Sequence, residues 1–247
     1  MQQQYFFTKE RCNSKMIGII GAMELEVDAL KNMMTDLNII NLGSVDYYQG
    51  KINDTDTVVA AAGIGKVNAA LCAQAMIFTF KPDVIINIGV AGGLANDLKI
   101  GDIAIATSVV EHDMDTSQLG DPKGYITGLN TVYMYCDREI VNVLYDSACS
   151  EGGINAKKGV IASGDQFISS TEERKRISDT FDAVAAEMEA AAIGHACLMN
   201  NVKFGVLRAI SDSANGNSHI DFPTFAKAAA KNTVGIAVRF LMNYNIK

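Results

Sequence analysis

The stretch at positions 83–92, DVIINIGVAG, is apolar at nearly every position instead of every second one. A strand with one face in water alternates, so a run without alternation has both faces covered. Six more runs share this character: MIGIIGA from Met16, TDTVVAAAG from Thr55, DIAIATSVV from Asp102, AKKGVIASG from Ala156, DAVAAEM from Asp182 and FGVLRAIS from Phe204. Amphipathic stretches with helical period lie between them, at about 24–35, 66–80, 137–150, 189–200 and 221–243. The alternation predicts a single α/β domain of three layers, a central twisted sheet flanked by helices. The length of 247 residues and the hydrophobic share of 49% supply the core such a domain needs. MIGIIGA reads as the first strand, so residues 1–15 are expected to be a tail and 16–247 the domain.

Composition removes several function classes. The formal net charge is −7, and the basic clusters are Lys157-Lys158 and Arg174-Lys175-Arg176, too few for a phosphate-backbone partner; no nucleic acid is expected. Five scattered cysteines form no C-x-x-C pair, and the three histidines lack metal-ligand spacing, so neither a disulfide framework nor a metal is expected. No apolar run reaches about eighteen residues, which predicts no membrane association and, with the reduced cysteines, a cytoplasmic protein.

Glycines close the strand-like runs, at Gly21, Gly63, Gly65, Gly89, Gly92-Gly93 and Gly164. In open α/β sheets a ligand lies off the carboxyl ends of the strands, so the polar residues just beyond them are the ones to watch. Neither G18-I-I-G21 nor G63-I-G65-K completes a dinucleotide or P-loop motif, and no cofactor is expected. Carboxylates are more informative. Glu24 and Glu26 open the first helix, where an acid also serves as a cap. Glu187 and Glu189 interrupt the apolar run AAEMEAAAIGHA, and a buried charge requires a partner or a chemical use. Asp165 and Asp212 end two further strands, and Arg208, four residues before Asp212, is placed to balance its charge. Acids converging from separate strand ends can stabilise a sugar cation or pass protons. The segment 112–130, rich in Gly, Asp and Thr, is too long for a simple connection and reads as functional or interfacial.

IGIIGAMELEV, AAGIGKVNAA, INIGVAGGL, ASGDQFI, AAEMEAAAIGHA and RAISDSA together, in order and spacing, resemble the 5′-methylthioadenosine/S-adenosylhomocysteine nucleosidases of the purine nucleoside phosphorylase superfamily. The resemblance runs from Met16 to near the C-terminus. It implies a mixed central sheet and hydrolysis of an N-glycosidic bond, with Asp212 as proton donor to adenine, Ser211 orienting it, and Glu26 taking a proton from the attacking water beside Arg208. It implies that Glu189 binds the ribose hydroxyls with Met188 against the sugar, and that Gly92 belongs to the same pocket. Phe167 would stack on adenine, with backbone of Phe167 and Ile168 reading its edge; Met23, Ile64 and Phe222 would form an apolar slot for the alkylthio arm. A homodimer, with the 112–130 loop near the neighbouring site, is implied in the same way. Many members read NTGSAGG where this chain has NIGVAGG, so Val90 stands in place of a serine that contacts water. Two other readings fit the fold: a phosphate-dependent nucleoside phosphorylase and a nucleoside-binding module without turnover. His195 and His219 have no assigned role, and Glu187 is expected to support the site.

Overall fold

The computed structural model describes residues 15–150, 152–212 and 218–244. The expected tail, apart from Lys15, lies outside them. Ten strands and six α-helices follow in the order β1 (Met16–Gly21), α1 (Glu24–Met33), β2 (Thr35–Leu42), β3 (Val45–Ile52), β4 (Thr55–Ala61), α2 (Lys66–Phe80), β5 (Val84–Gly93), β6 (Ile103–Glu111), β7 (Met134–Tyr135), α3 (Arg138–Cys149), β8 (Ala156–Ser163), α4 (Thr171–Phe181), β9 (Ala183–Glu187), α5 (Ala190–Met199), β10 (Lys203–Asp212) and α6 (Ser218–Asn243).

All ten strands join one mixed sheet. β1 is parallel to β4 and β5, and β5 is parallel to β10. β10 then pairs antiparallel with β6, β6 parallel with β8, β8 parallel with β9, and β9 antiparallel with β5. This succession closes on itself. The five strands β5, β10, β6, β8 and β9 form a ring, and β1, β4, β3 and β2 extend outward from β5. The sheet is mixed, as expected, and part of it closes into a barrel, because the edge of β5 left free beyond its pairing with β1 takes β9 at Gly92 and Gly93 while β10 holds the other edge.

The fully apolar run predicted as central is β5, buried almost throughout. α1, α6 and α3 form one helical layer; α2 packs with α5 in another, and α4 lies against β8 and β9. Gly65 is the N-cap of α2, and its φ of +98° is a conformation that suits glycine.

Four elements were not expected: the strands β2, β3 and β7 and the helix α4. β2 and β3 make an outer hairpin in which β2 is largely exposed, Leu37 and Ile39 included, so its sequence TDLNIINL has no unbroken apolar run like those of the buried strands. α4 is strongly polar, yet Ser170 caps it by accepting from the N–H of Glu173 at 3.0 Å, and its Ile177 and Phe181 are buried. The S-T-E-E start is the signal that was available. Among the described residues no helix is long and apolar enough to cross a membrane, and no cluster of three or more His, Cys, Asp or Glu could hold a metal.

Candidate active site

A cavity of about 250 Å³ opens where β5, β9 and β10 end, against the starts of α1 and α5. Its walls include Glu26 of α1, Glu187 and Glu189 at the β9–α5 junction, and Asp212 at the end of β10, brought from three separate parts of the chain. Met23, Ile64, Gly92, Phe167, Ile168, Met188, Ser211 and Phe222 line it too, with Val90. Every residue expected at the site is there except Arg208. Asp165, the remaining strand-end acid, is also not in the wall; it accepts the Lys66 N–H at 2.7 Å and donates its own N–H to Asp113 at 2.9 Å, joining α2 to the segment after β6.

Glu26 is 2% exposed. Its Oε2 accepts from the N–H groups of Ala22 and Met23, at 2.7 and 2.9 Å, and its Oε1 from the Val90 N–H at 3.1 Å. One carboxylate thus caps α1 and stands in the cavity wall. Desolvation pushes Glu26 up from the ordinary value, against the opposing charge of Arg208 and the three backbone donors. Gly89 and Gly92 make room for these groups. A Cβ at Gly92 would stand 3.0 Å from Asp212 Oδ2 and 3.3 Å from Arg174 Nη2.

Glu189 precedes α5 and accepts the Gly65 N–H at 2.8 Å. Burial, and next the neighbouring Glu187, push it up to about 7. Glu187 is held differently. It accepts from Ser163 Oγ, from the N–H groups of Glu189 (3.1 Å) and Ala190 (2.9 Å), and from the Arg208 guanidinium. Its carboxylate is thus taken up by bonds within the protein.

Arg208 stands behind the wall at 1% exposure, bonded to Glu187 and to Asn87 Oδ1. It does not balance Asp212. That task falls to Arg174 of α4, which the sequence presents only as part of a basic run; it is 3% exposed and ion-paired with Asp212. Ser211 Oγ donates to Asp212 Oδ1 at 2.9 Å, as the motif RAISD implied.

The mouth is apolar and open. Phe167 is 49% and Ile64 54% exposed, and the Phe167 ring meets Phe222 edge-on with centroids 5.6 Å apart. The 112–130 segment is anchored at its start, where Lys66 Nζ reaches Glu111 (2.9 Å) and Asp113 (2.6 Å) and His195 Nδ1 lies 3.1 Å from Glu111. His195 thus has a structural partner; the side chain of His219 lies outside the described residues.

A mixed sheet with a nucleoside-sized hollow ringed by acids defines a class. The family model described as the phosphorylase superfamily matches residues 16–242 of this chain. The 5′-methylthioadenosine/S-adenosylhomocysteine nucleosidase of Staphylococcus carnosus is 42% identical over 227 residues, 92% of this chain and 99% of its own. The crystal structure of the nucleosidase of that name from Neisseria meningitidis, in complex with methylthio-immucillin-A, matches with a TM-score of 0.90 at 35% identity, over 93% of this chain and 100% of its own. The S-adenosylhomocysteine nucleosidase of Streptococcus pyogenes, in complex with 5-methylthiotubericidin, matches with a TM-score of 0.90 at 33% identity, over 96% and 100%. The chain belongs to the 5′-methylthioadenosine/S-adenosylhomocysteine nucleosidase family of the phosphorylase superfamily.

Proposed function

We propose that this chain hydrolyses the N-glycosidic bond of 5′-methylthioadenosine and S-adenosylhomocysteine, and of 5′-deoxyadenosine, as a step of methionine salvage in the cytoplasm. The observation that carries the reading is the meeting of Glu26, Glu189 and Asp212 in one cavity wall. Asp212 in its protonated form gives that proton to N7 of the purine as the bonding pair of the glycosidic bond withdraws into the base, so adenine leaves neutral and Asp212 is left as the carboxylate that pairs with Arg174. Positive charge then grows on the ribosyl carbon and ring oxygen. Glu189, accepting from the 2′- and 3′-hydroxyls, faces that charge, and the carboxylate of Glu26 takes a proton from water as its oxygen bonds the ribosyl carbon. The products are adenine and the 5-substituted ribose.

Met23, Ile64 and Phe222 suit an alkylthio arm, being apolar and polarisable, and Phe167 offers a ring face to the base. Val90 supplies a backbone N–H to Glu26 but no hydroxyl to water, so water is held by the carboxylate without that contact. Arg208 acts on the water only through the charge it presents to Glu26.

Attack by phosphate is disfavoured because Glu26 would face a dianion across the hollow. A binding module has no need of a proton donor and a base together. The deciding experiment measures adenine release from the three nucleosides with and without phosphate. Release in phosphate-free buffer is expected; strict dependence on phosphate would make the chain a phosphorylase, and no release would make it a binder.

The protein is further proposed to work as a homodimer, with the 112–130 loop near the neighbouring site. α2 exposes Val67, Leu71 and Phe78 on one helical face, and α5 beside it ends in exposed Leu198 and Met199. Apolar side chains so placed on a water-soluble surface favour a partner.

A further inference from the structure

We infer that Arg174 is the positioning residue of the proton donor, fixing the direction in which the Asp212 carboxyl meets the purine. The inference rests on the reading of Asp212 as the acid. It begins from an anomaly of placement. Arg174 belongs to the most basic run in the chain, on a helix of polar composition, and yet its side chain is turned inward and almost fully buried, in the wall of the cavity.

Its contacts explain the burial. Nη1 donates to the Gly93 carbonyl at 2.9 Å; Nη2 donates to the Ile168 carbonyl at 3.1 Å and to Asp212 Oδ2. Ser211 Oγ meets the other oxygen, Oδ1. The carboxyl is thus gripped at both oxygens from two different elements, α4 and β10, and rotation about its last bond would break one grip or the other. The same guanidinium ties that carboxyl to the Ile168 backbone, placed beside the base edge in the proposed complex, and to the end of β5. Acid and base-reading backbone consequently move together. Gly92 leaves the space in which the pair sits, since a Cβ there would touch both Asp212 Oδ2 and Arg174 Nη2.

A planar fork with several donors can span three acceptors, whereas a lysine ammonium is a point charge on a flexible stem. Arg174→Lys keeps the charge and loses the span; Arg174→Gln loses both. A proton donor that has lost its direction slows only departures that need a proton. Two substrates separate this from a general loss of structure: methylthioadenosine, and the 4-nitrophenyl riboside bearing the same 5-methylthio group, whose phenolate leaves unprotonated.

Arg174→Gln is expected to lower kcat on methylthioadenosine roughly 10- to 100-fold, part of the factor a general acid supplies, with KM within about threefold. On the nitrophenyl riboside the variant should stay within about threefold of wild type. Arg174→Lys should fall between. Equal losses on both substrates, or no loss on either, would overturn the inference. Should Arg174→Gln fail to fold, Arg174→Lys decides by the same comparison: loss on the nucleoside alone supports it and equal loss overturns it. Asp212→Asn, run in parallel, tests the underlying reading. An Asp212→Asn enzyme slow on the nucleoside beside an unaffected Arg174→Gln removes Arg174 alone, while an unimpaired Asp212→Asn enzyme removes both.

Discussion

Glu26 reaches into the space that a side chain on Gly89 would fill: a Cβ at that glycine would stand 2.6 Å from Glu26 Oε1 and 3.3 Å from Arg208 Nη1. β5 thus contributes to the site by what it lacks. Gly89→Ala should push the Glu26 carboxylate off its three backbone donors and lower kcat by roughly 100-fold, the scale of an ångström-sized misplacement. The fold should lose about 1–3 kcal/mol as well, since Gly89 has a φ of +157°, which an L side chain rarely adopts. Steady-state kinetics with thermal melting checks this; an active Gly89→Ala enzyme would mean that Glu26 has freedom its contacts do not indicate.

Burial raises Glu26 above its ordinary value of 4.5. A base acts only when ionised, so activity should fall on acidification through a midpoint above 4.5. The acid limb of kcat/KM against pH measures this midpoint. Glu26→Gln should remove most of the rate, by roughly 100-fold or more. A limb at or below the ordinary carboxylate range would point to another base.

Glu189 exchanges stability for function. With the folded-state value raised from 4.5 to about 7, the neutral form is favoured in the fold. Stability linked to it is complete below 4.5 and is lost as pH rises towards 7. Glu189→Gln, which keeps an oxygen for the Gly65 N–H, should be more stable than wild type at pH 8 by about 1–3 kcal/mol and no more stable at pH 4. Thermal unfolding at the two pH values tests the sign, and KM should rise because the ribose acceptor is gone.

Glu187 and Arg208 are a buried pair, and removing one partner strands the other. Glu187→Gln or Arg208→Met alone should cost about 3–5 kcal/mol of stability. The double variant should cost less than the two single losses added together, which a double-mutant cycle by denaturant unfolding measures. Additive losses would show that the two groups do not depend on one another.

The proposed dimer has a direct check. Val67→Asp with Leu71→Glu charges the exposed face of α2 without touching the core. Sedimentation should find dimers for the natural protein and monomers for the variant, with activity reduced if the neighbouring 112–130 loop completes the site. A monomeric natural protein would refute the assembly outright.

Much of the site was legible in the chain because its acids sit where short-range rules point. Glu26 begins a helix, Asp212 ends a strand, and Glu187 and Glu189 stand among alanines where a charge is conspicuous. Arg174 was hidden for the opposite reason: it sits among charges, and its partner is 38 residues away. Arg208 was visible, but its nearness to Asp212 in sequence pointed to the wrong partner, since residues four apart on a strand are far apart in space. Of the fold, the buried strands declared themselves by their unbroken apolar runs. The β2–β3 hairpin did not, being largely wet on its outer strand, and ring closure depends on pairings between distant segments that no local pattern records.

That ring constrains what can change. Strands within it have no free margin along which to slide, so the separations among Gly92, Glu187 and Asp212 are set by the circumference and not by any one loop. Substitutions that preserve bond cleavage therefore have latitude mainly in the connecting segments at the mouth. Substrate preference can drift there, over a reaction centre whose dimensions stay constant.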